Sequence, residues 1–182
     1  MSSALNPFSY AILVLVGEGG AGPHDLNRMM RTGARIFWAA APSQYYAEPK
    51  RLAALGYLDA RREPGRTRER THYTLTERGR EALREWIARP APFPRIQHEP
   101  AVRLLAGDLV GDAAVLASLR GLRTEIADVA AWLDESEATA GTLPRRERYL
   151  RLNARLARRL LQAHGEWLDE VERELGPPAS NP

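Results

Sequence analysis

Residues 57–75 combine two short strand patterns with a basic loop, and this combination constrains the fold more than any other part of the chain. The segments 57–61 (YLDAR) and 70–75 (RTHYTL) carry the aromatic and β-branched residues of a half-buried ribbon. Between them, EPGRTRE at 63–69 contains the turn signal Pro64-Gly65. The pattern predicts a two-stranded hairpin with an arginine-rich tip.

Three helices are expected before this hairpin. Asn6 can cap the first helix, and Pro7 suits its first position because the missing N–H would be unpaired there anyway. The second helix is expected to begin at Pro23, and the third to begin behind a Ser43 cap. The sequence therefore places three short helices ahead of the two strands.

The third helix has an apolar stripe and one unusual residue. Pro49 lies inside it, where proline deletes a backbone hydrogen bond, so we expect a kink or a break into two shorter turns. The residues predicted to be buried in this helix are Tyr45, Tyr46, Leu52 and Leu55.

A fourth helix follows the hairpin. Thr76 is a good N-cap, and Glu77 suits the first turn because it lies near the positive end of the helix dipole. Its predicted buried face consists of Ala82, Leu83, Trp86 and Ile87.

The order helix, helix, helix, strand, loop, strand, helix is the layout of a winged helix-turn-helix domain. In such domains the third helix enters the major groove of DNA and the hairpin lies along the backbone. Arg66, Arg68 and Arg70 in the loop are then predicted phosphate ligands. An unrelated α+β domain with a solvated hairpin is the alternative.

The charge distribution favours a polyanionic partner. Between Lys50 and Arg80 there are nine basic and four acidic residues, a net charge of +5 in a chain whose total is +3. Such a local patch is typical of proteins that contact phosphate backbones. A solvated arginine-rich surface is the other interpretation.

A proline-rich stretch at 89–100, RPAPFPRIQHEP, indicates a domain boundary. We predict a DNA-binding domain over residues 1–90 and a helical domain over residues 99–176. The chain is thus expected to be mainly α, with a winged helix-turn-helix domain followed by an antiparallel helical dimerisation domain.

The helical domain carries a heptad pattern. A helix capped by Asp112 is expected to present apolar residues at spacings of three and four from Val115 to Leu133, as helices that face one partner helix do. A second copy of the chain would cover this stripe, although an intramolecular three-helix packing that uses residues 100–110 is also open. The residues predicted to form the dimer contact are Leu119, Leu122, Ile126 and Val129.

Other classes of function find little support in the sequence. There is no cysteine, and the four histidines lack the spacing of a metal pair, so neither a metal site nor a cofactor is predicted. No GxSxG elbow or GK[ST] phosphate loop occurs, and an enzyme is not expected. The longest apolar run is too short to span a bilayer, which favours a cytoplasmic protein without membrane contact.

Several stretches resemble the PadR family of transcriptional regulators. They are FSYAILVLVGEGGAGPHDLNRMM at 8–30, SQYYAEPKRLAALGYLDA at 43–60 and GRTRERTHYTLTERGREALREW at 65–86. The region that begins EPAVRLLAGDLVG at 99 resembles the helical C-terminal domain of the longer, virulence-regulator-type members. The commoner family pattern has leucine where this chain has Pro49.

The resemblance implies a homodimeric winged-helix repressor that binds double-stranded DNA at a palindromic operator. It places Ser43, Gln44, Tyr46, Lys50 and Arg51 on the recognition helix, and Arg66, Arg68 and Arg70 on the wing. Gln44 is a candidate for reading an adenine edge, although it is also placed to cap the helix.

Some family members release DNA when a small aromatic compound binds, so the resemblance implies an effector of this kind. Trp132 and Trp167 are candidates for stacking on such a ligand in a cavity at the dimer interface, and core packing is their alternative role. A protein-interaction module whose basic hairpin binds an acidic partner is the competing interpretation of the whole chain.

Overall fold

The computed structural model describes residues 5–30, 36–38, 40–64 and 69–176, with the side chain of Thr139 excepted. The chain divides into two compact units, Met1–Phe93 and Pro94–Pro182. The described residues are mostly helical, with one small sheet in the first unit.

The first unit has the predicted order of elements. Its members are α1 Pro7–Val16, α2 Pro23–Met29, α3 Gln44–Ala54, β1 Leu58–Glu63, β2 Arg70–Leu75 and α4 Glu77–Ile87. This is a winged helix-turn-helix arrangement, which confirms the fold class predicted from the sequence.

In the first unit, two of the predicted caps are present and one is not. The Asn6 side chain accepts a hydrogen bond from the Ser9 N–H at 2.9 Å, and the Ser9 hydroxyl accepts one from the Asn6 N–H at 3.0 Å, which makes a capping box for α1. Thr76 caps α4 by accepting from the Gly79 N–H at 3.1 Å. Ser43 precedes α3 but makes no capping hydrogen bond, because its backbone is already helical (φ −61°, ψ −29°).

Pro49 does not divide the third helix. The structure has one continuous helix from Gln44 to Ala54, and Pro49 is fully buried within it. Tyr45 and Leu52 are buried as predicted, whereas Tyr46 is 43% exposed. The assignment of Tyr46 to the buried stripe was therefore wrong, since it lies on the outer face of the helix.

The hairpin is longer than the sequence indicated. β1 runs to Glu63, two residues beyond the predicted end, and pairs antiparallel with β2 in a register that sets Leu58 opposite Leu75. Ala21, in the loop between α1 and α2, adds a short third partner by exchanging two backbone hydrogen bonds with Tyr73, at 2.9 and 3.0 Å. This bridge fixes the hairpin to the helical part of the unit.

The core of the first unit lies between its helices and the hairpin. Its fully buried members include Ile12, Leu13, Leu26, Leu52, Leu58 and Tyr73. The Tyr10 and Trp86 rings stack with centroids 4.9 Å apart, which packs α4 on α1. Ile87 is 72% exposed, so its predicted burial on α4 was wrong: it lies in the last turn, outside the Ala82, Leu83 and Trp86 face.

All the secondary-structure elements described in the second unit are helices. Its elements are α5 Glu99–Leu105, α6 Gly107–Val110, α7 Asp112–Leu119, α8 Leu122–Ala140 and α9 Pro144–Leu175. Helices α8 and α9 form an antiparallel hairpin. Arg123 near the start of α8 bonds Asp169 and Glu172 near the end of α9, at 2.8 and 2.9 Å.

Two details of the heptad helix differ from prediction. The expected single helix is divided at Arg120 and Gly121 into α7 and α8. Gly111 (φ +86°), rather than Asp112, holds the N-cap position of α7, and Asp112 is the first helical residue. A positive φ favours glycine, which explains why this residue stands at the turn.

The apolar stripe packs within one chain. Val115 and Leu119 of α7 form a buried cluster with Leu168 and Val171 of α9. Leu104, Leu122 and Ile126 are partly buried against the same cluster. Part of the stripe thus packs on α9 of the same chain, with Leu104 of α5 as a third contributor.

No helix in the part of the chain that the structure describes is long and apolar enough to cross a membrane.

Candidate nucleic-acid interface

The outer face of α3 carries most of the predicted DNA-contacting residues of the third helix. Ser43, Tyr46 and Lys50 are exposed and recur at helical spacing, so they share one side of the helix. The opposite side is buried by Tyr45, Pro49 and Leu52 among other residues. A helix whose outer face is polar and whose inner face is anchored in the core can present side chains to a groove without losing its packing.

Gln44 is exposed but already makes a local contact. Its side-chain oxygen accepts a hydrogen bond from the Ala41 N–H at 3.2 Å. This satisfies a backbone donor just ahead of α3, which is the capping role that the sequence left open for Gln44. To pair with both polar groups on an adenine edge, the Gln44 side chain would have to give up its hydrogen bond with the Ala41 N–H.

Arg51 lies on the side of α3 that faces α1. Its Nε donates to Oε2 of Glu48 at 2.9 Å, and Nη2 donates to Oε1 of Glu48 at 2.6 Å. Nη2 is also 3.0 Å from the hydroxyl of Ser9 on α1. Arg51, whose side chain is 40% exposed, is thus engaged with Glu48 and Ser9 at the edge of the α1–α3 contact.

Burial and hydrogen bonding act against each other on the Glu48 carboxylate. Burial raises its pKa, but hydrogen bonds from Arg51 and Ser9 and the charge of Arg51 outweigh this, so the pKa of Glu48 lies below its ordinary value. The hydrogen bond to Glu48 raises the pKa of Arg51 above its ordinary value, against the effect of burial. Both directions mean that the pair is ionised.

The hairpin presents a charged outer face. In the register Arg61 lies opposite His72 and Glu63 opposite Arg70, and Arg61 is exposed. On this face Arg70 contacts Glu63 at 3.5 Å; Arg62, which points to the opposite face, contacts Glu69 at 3.4 Å. Exposed ion pairs of this kind are worth little, so a phosphate can displace the carboxylates. Arg66 and Arg68 lie outside the described residues.

Two arginines of the basic segment stabilise the fold instead. Arg78 donates to the Leu55 carbonyl oxygen at 2.8 Å and stacks over the Tyr57 ring at 4.5 Å. Arg80 donates to the Leu75 carbonyl oxygen at 3.0 Å and pairs with Glu18. The charge count could not distinguish these arginines from surface ones, since their partners are distant in sequence.

The residues predicted for the second unit occupy interior and half-buried positions. Leu119 is buried, and Leu122, Ile126 and Val129 are half-buried, the first two against the α7–α9 cluster. Trp132 on α8 and Trp167 on α9 are both half-buried. The Trp167 ring meets His98 edge-on at 5.4 Å, and no ring contact between the two tryptophans occurs among the described residues.

Among the described residues, no cluster of three or more His, Asp or Glu side chains could hold a metal ion.

Known proteins resemble both units of this chain. The family model "Virulence activator alpha C-term" matches residues 96–176. The negative transcriptional regulator PadR of Bacillus subtilis is 35% identical over 86 residues, which are 47% of this chain and 47% of that protein. The matched stretch therefore spans about half the length of this curated relative.

Solved structures resemble the chain over most of its length. The B. subtilis PadR complex with operator DNA superposes with a TM-score of 0.77 at 22% identity, covering 93% of this chain and 99% of that one. The same PadR with p-coumaric acid gives 0.62 at 21% identity, covering 94% and 97%. The virulence activator AphA of Vibrio cholerae gives 0.71 at 26% identity, covering 92% and 96%.

The fold and the basic hairpin define a winged helix-turn-helix protein with a helical C-terminal unit. Together with the comparisons, they show that the chain is similar to PadR-type transcriptional regulators.

Sequence reasoning missed two features of this site. It did not find the Ser9–Glu48–Arg51 network, because Ser9 is 39 and 42 positions away from its two partners on α3. It also missed the Ala21 bridge to Tyr73, although the glycines that flank Ala21 were a signal. Gly20 has φ +73° and lies so close to the hairpin that a Cβ atom would be 2.7 Å from the Tyr73 carbonyl oxygen.

Proposed function

We propose that this protein is a non-catalytic transcriptional repressor that binds operator DNA with α3 in the major groove and the hairpin along the backbone. The observation that carries the proposal is the outer face of α3, where Ser43, Tyr46 and Lys50 are exposed on a helix whose other side is held by the core. Supporting it, Arg61 and Arg70 lie on the same face of the adjacent ribbon.

Salt-dependent binding tests this proposal. Fragments of the parent genome that the purified protein retains should bind with an affinity that falls steeply as salt rises, since phosphate contacts release counterions. Replacing Arg66, Arg68 and Arg70 together with Ala should lower the salt slope by about one unit for each phosphate that is no longer neutralised. Arg103→Ala, an exposed arginine on α5 paired with Glu99, serves as the control.

The competing interpretation gives a different result. A hairpin that binds an acidic protein would leave DNA affinity low at all salt concentrations and unchanged in the triple variant. An unchanged slope and affinity in that variant would remove the hairpin from the DNA-binding mechanism.

We further propose that the repressor acts as a homodimer on a palindromic operator. The support comes from apolar side chains that remain exposed in a single chain and do not belong to the α7–α9 cluster. On α9 they are Tyr149, Leu152 and Leu156, and on α5 and α6 they are Val102, Leu105, Leu109 and Val110. Exposed apolar residues that share one helix face, as Tyr149, Leu152 and Leu156 do, are typical of an interaction site. A second copy is the partner that a two-fold operator needs.

A small aromatic effector completes the proposal. The supporting observations are the half-buried Trp132 and Trp167 rings and the solved complex of B. subtilis PadR with p-coumaric acid. Phenolic acids should quench tryptophan fluorescence, and operator DNA should weaken that effect, because an effector releases DNA only if it binds the DNA-free form better. Quenching that persists in Trp132→Phe and Trp167→Phe variants would contradict an effector site at these two residues. Quenching that operator DNA does not weaken would contradict it as well.

A further inference from the structure

A polar network with buried Ser9 and Glu48 and a partly exposed Arg51 joins α3 to α1. Ser9 is fully buried and Glu48 is only 9% exposed. The Ser9 hydroxyl donates to Oε1 of Glu48 at 2.6 Å, while Arg51 holds both carboxylate oxygens at 2.6 and 2.9 Å. A carboxylate at this depth is tolerated because three charge-assisted hydrogen bonds compensate its lost hydration.

Ser9 is the member that connects two helices. Glu48 and Arg51 are one turn apart on α3, so their ion pair alone does not fix the helix to its neighbour. Ser9 belongs to α1, where its backbone and hydroxyl are also held by Asn6 in the capping box. A rotation or shift of α3 would therefore break bonds that reach the N-terminus of α1.

The network lies at the turn of α3 where Pro49 removes a backbone hydrogen bond. Pro49 follows Glu48 directly and has no N–H, so the helix lacks the backbone bond that would reach the Tyr45 carbonyl. Helices with an internal proline tend to kink at that point. Glu48 and Arg51 stand on either side of Pro49 and connect this turn to α1 through side chains.

We propose that Ser9, Glu48 and Arg51 are positioning residues that set the placement of α3 for sequence readout. In this inference, which rests on the proposed DNA-binding function, Arg51 acts through Glu48 and Ser9. Outward residues such as Lys50 and Tyr46 contact the DNA. Loss of the network disturbs the alignment on which base contacts depend, while phosphate contacts of the hairpin persist.

The test compares Ser9→Ala and Glu48→Gln with a matched control. Glu81→Gln removes a carboxylate from another ion pair one helical turn apart, with Arg84 at 2.6 Å, but on the exposed face of α4. Binding is measured on a selected genomic fragment and on random DNA of equal length. In both network variants the ratio of the affinity for the selected fragment to the affinity for random DNA should fall about tenfold. This is the effect that one mismatched base pair typically has on specific binding. The salt slope of both variants on random DNA should stay as in the wild type, and Glu81→Gln should change neither quantity.

A second measurement does not depend on DNA. Amide hydrogen exchange should become about tenfold faster in residues 44–54 of both network variants, with residues 77–87 unchanged, because local opening of α3 becomes easier. Unchanged exchange in α3 would overturn the positioning role whether or not the protein binds DNA. Faster exchange with an unaltered affinity ratio would make the network structural only. Absence of salt-dependent DNA binding by the wild type would reject the proposed function, and the exchange result would still stand.

Discussion

At Gly79, the first turn of α4 lies directly against the carbonyl oxygen of Tyr57, and a Cβ atom would overlap that oxygen. The same glycine donates its N–H to the Thr76 cap, so the backbone here cannot shift freely. Gly79→Ala should therefore lower the free energy of unfolding by about 1–3 kcal/mol, as overpacking does. Urea unfolding followed by circular dichroism measures this change.

Gly165→Ala is a control of opposite sign. Gly165 is in the middle of α9, where a Cβ atom would meet nothing within 4 Å. Alanine there should stabilise the helix by up to about 1 kcal/mol, since glycine is a poor helix former. Equal effects of the two substitutions would contradict the overlap with Tyr57 as the cause.

Individual residues were predictable from sequence where the interaction is local. The caps at Asn6 and Thr76 are confirmed, because a cap joins residues only three positions apart. Arg51, Arg78 and Arg80 have partners that depend on the tertiary fold, such as Ser9, Leu55 and Glu18. Sequence alone assigned all three arginines to one basic surface.

Helix α5 depends on an unusual cap that makes its stability sensitive to pH. Nδ1 of His98 accepts a hydrogen bond from the Ala101 N–H at 2.9 Å, which requires this nitrogen to be unprotonated. Burial lowers the pKa of His98, and the neighbouring His164, whose ring stacks at 4.7 Å, lowers it further. The folded protein therefore favours neutral His98.

The sign of the pH effect follows from this lowered pKa. The unfolded chain takes up a proton on His98 near its ordinary pKa of about 6.5, before the folded chain does, so stability falls as pH drops through that value toward the folded pKa. His98→Asn keeps a capping oxygen without a titrating group and should remove much of this dependence. Urea midpoints at pH 7.5 and 5.5, read by tryptophan fluorescence, test it. Identical pH dependence in both proteins would show that the His98 cap is not the cause.

The boundary between α7 and α8 shows why helix ends were harder to predict than helix faces. The apolar spacing of three and four continues from Leu119 to Leu122, so the pattern alone indicated one helix. Gly121 carries little helix propensity and stands at the break in the structure. Leu119 and Leu122 still contact the same cluster, because the turn between the two helices is short and leaves both side chains on the same side.

At the scale of the whole molecule, the sequence predicted the order of elements and the winged fold, since hairpin and helix patterns are local signals. It could not determine which copy of the chain covers each apolar stripe. The pattern is the same whether Ile126 packs on its own α9 or on another chain. The structure has Ile126 against its own cluster and leaves Leu156 half exposed.

The proposed dimer can be tested by placing a charge on this exposed surface. Leu156 is 50% exposed in one chain, so Leu156→Glu should leave the fold of the chain intact. In a dimer that covers α9, the same carboxylate would be buried without a partner, which should weaken association by about 2 kcal/mol or more. Sedimentation should then show monomers that no longer bind a two-half-site operator cooperatively, with an unchanged circular dichroism spectrum.

Two further variants separate this interface from the internal packing. Ile87→Glu, on the exposed end of α4, should remain dimeric. Ile126→Glu should instead reduce the helical signal of the second unit, because it places a charge against the Val115 and Leu168 cluster of its own chain. If Leu156→Glu sediments as a dimer while Ile126→Glu gives folded monomers, the interface is the apolar stripe of α7 and α8 rather than the outer face of α9.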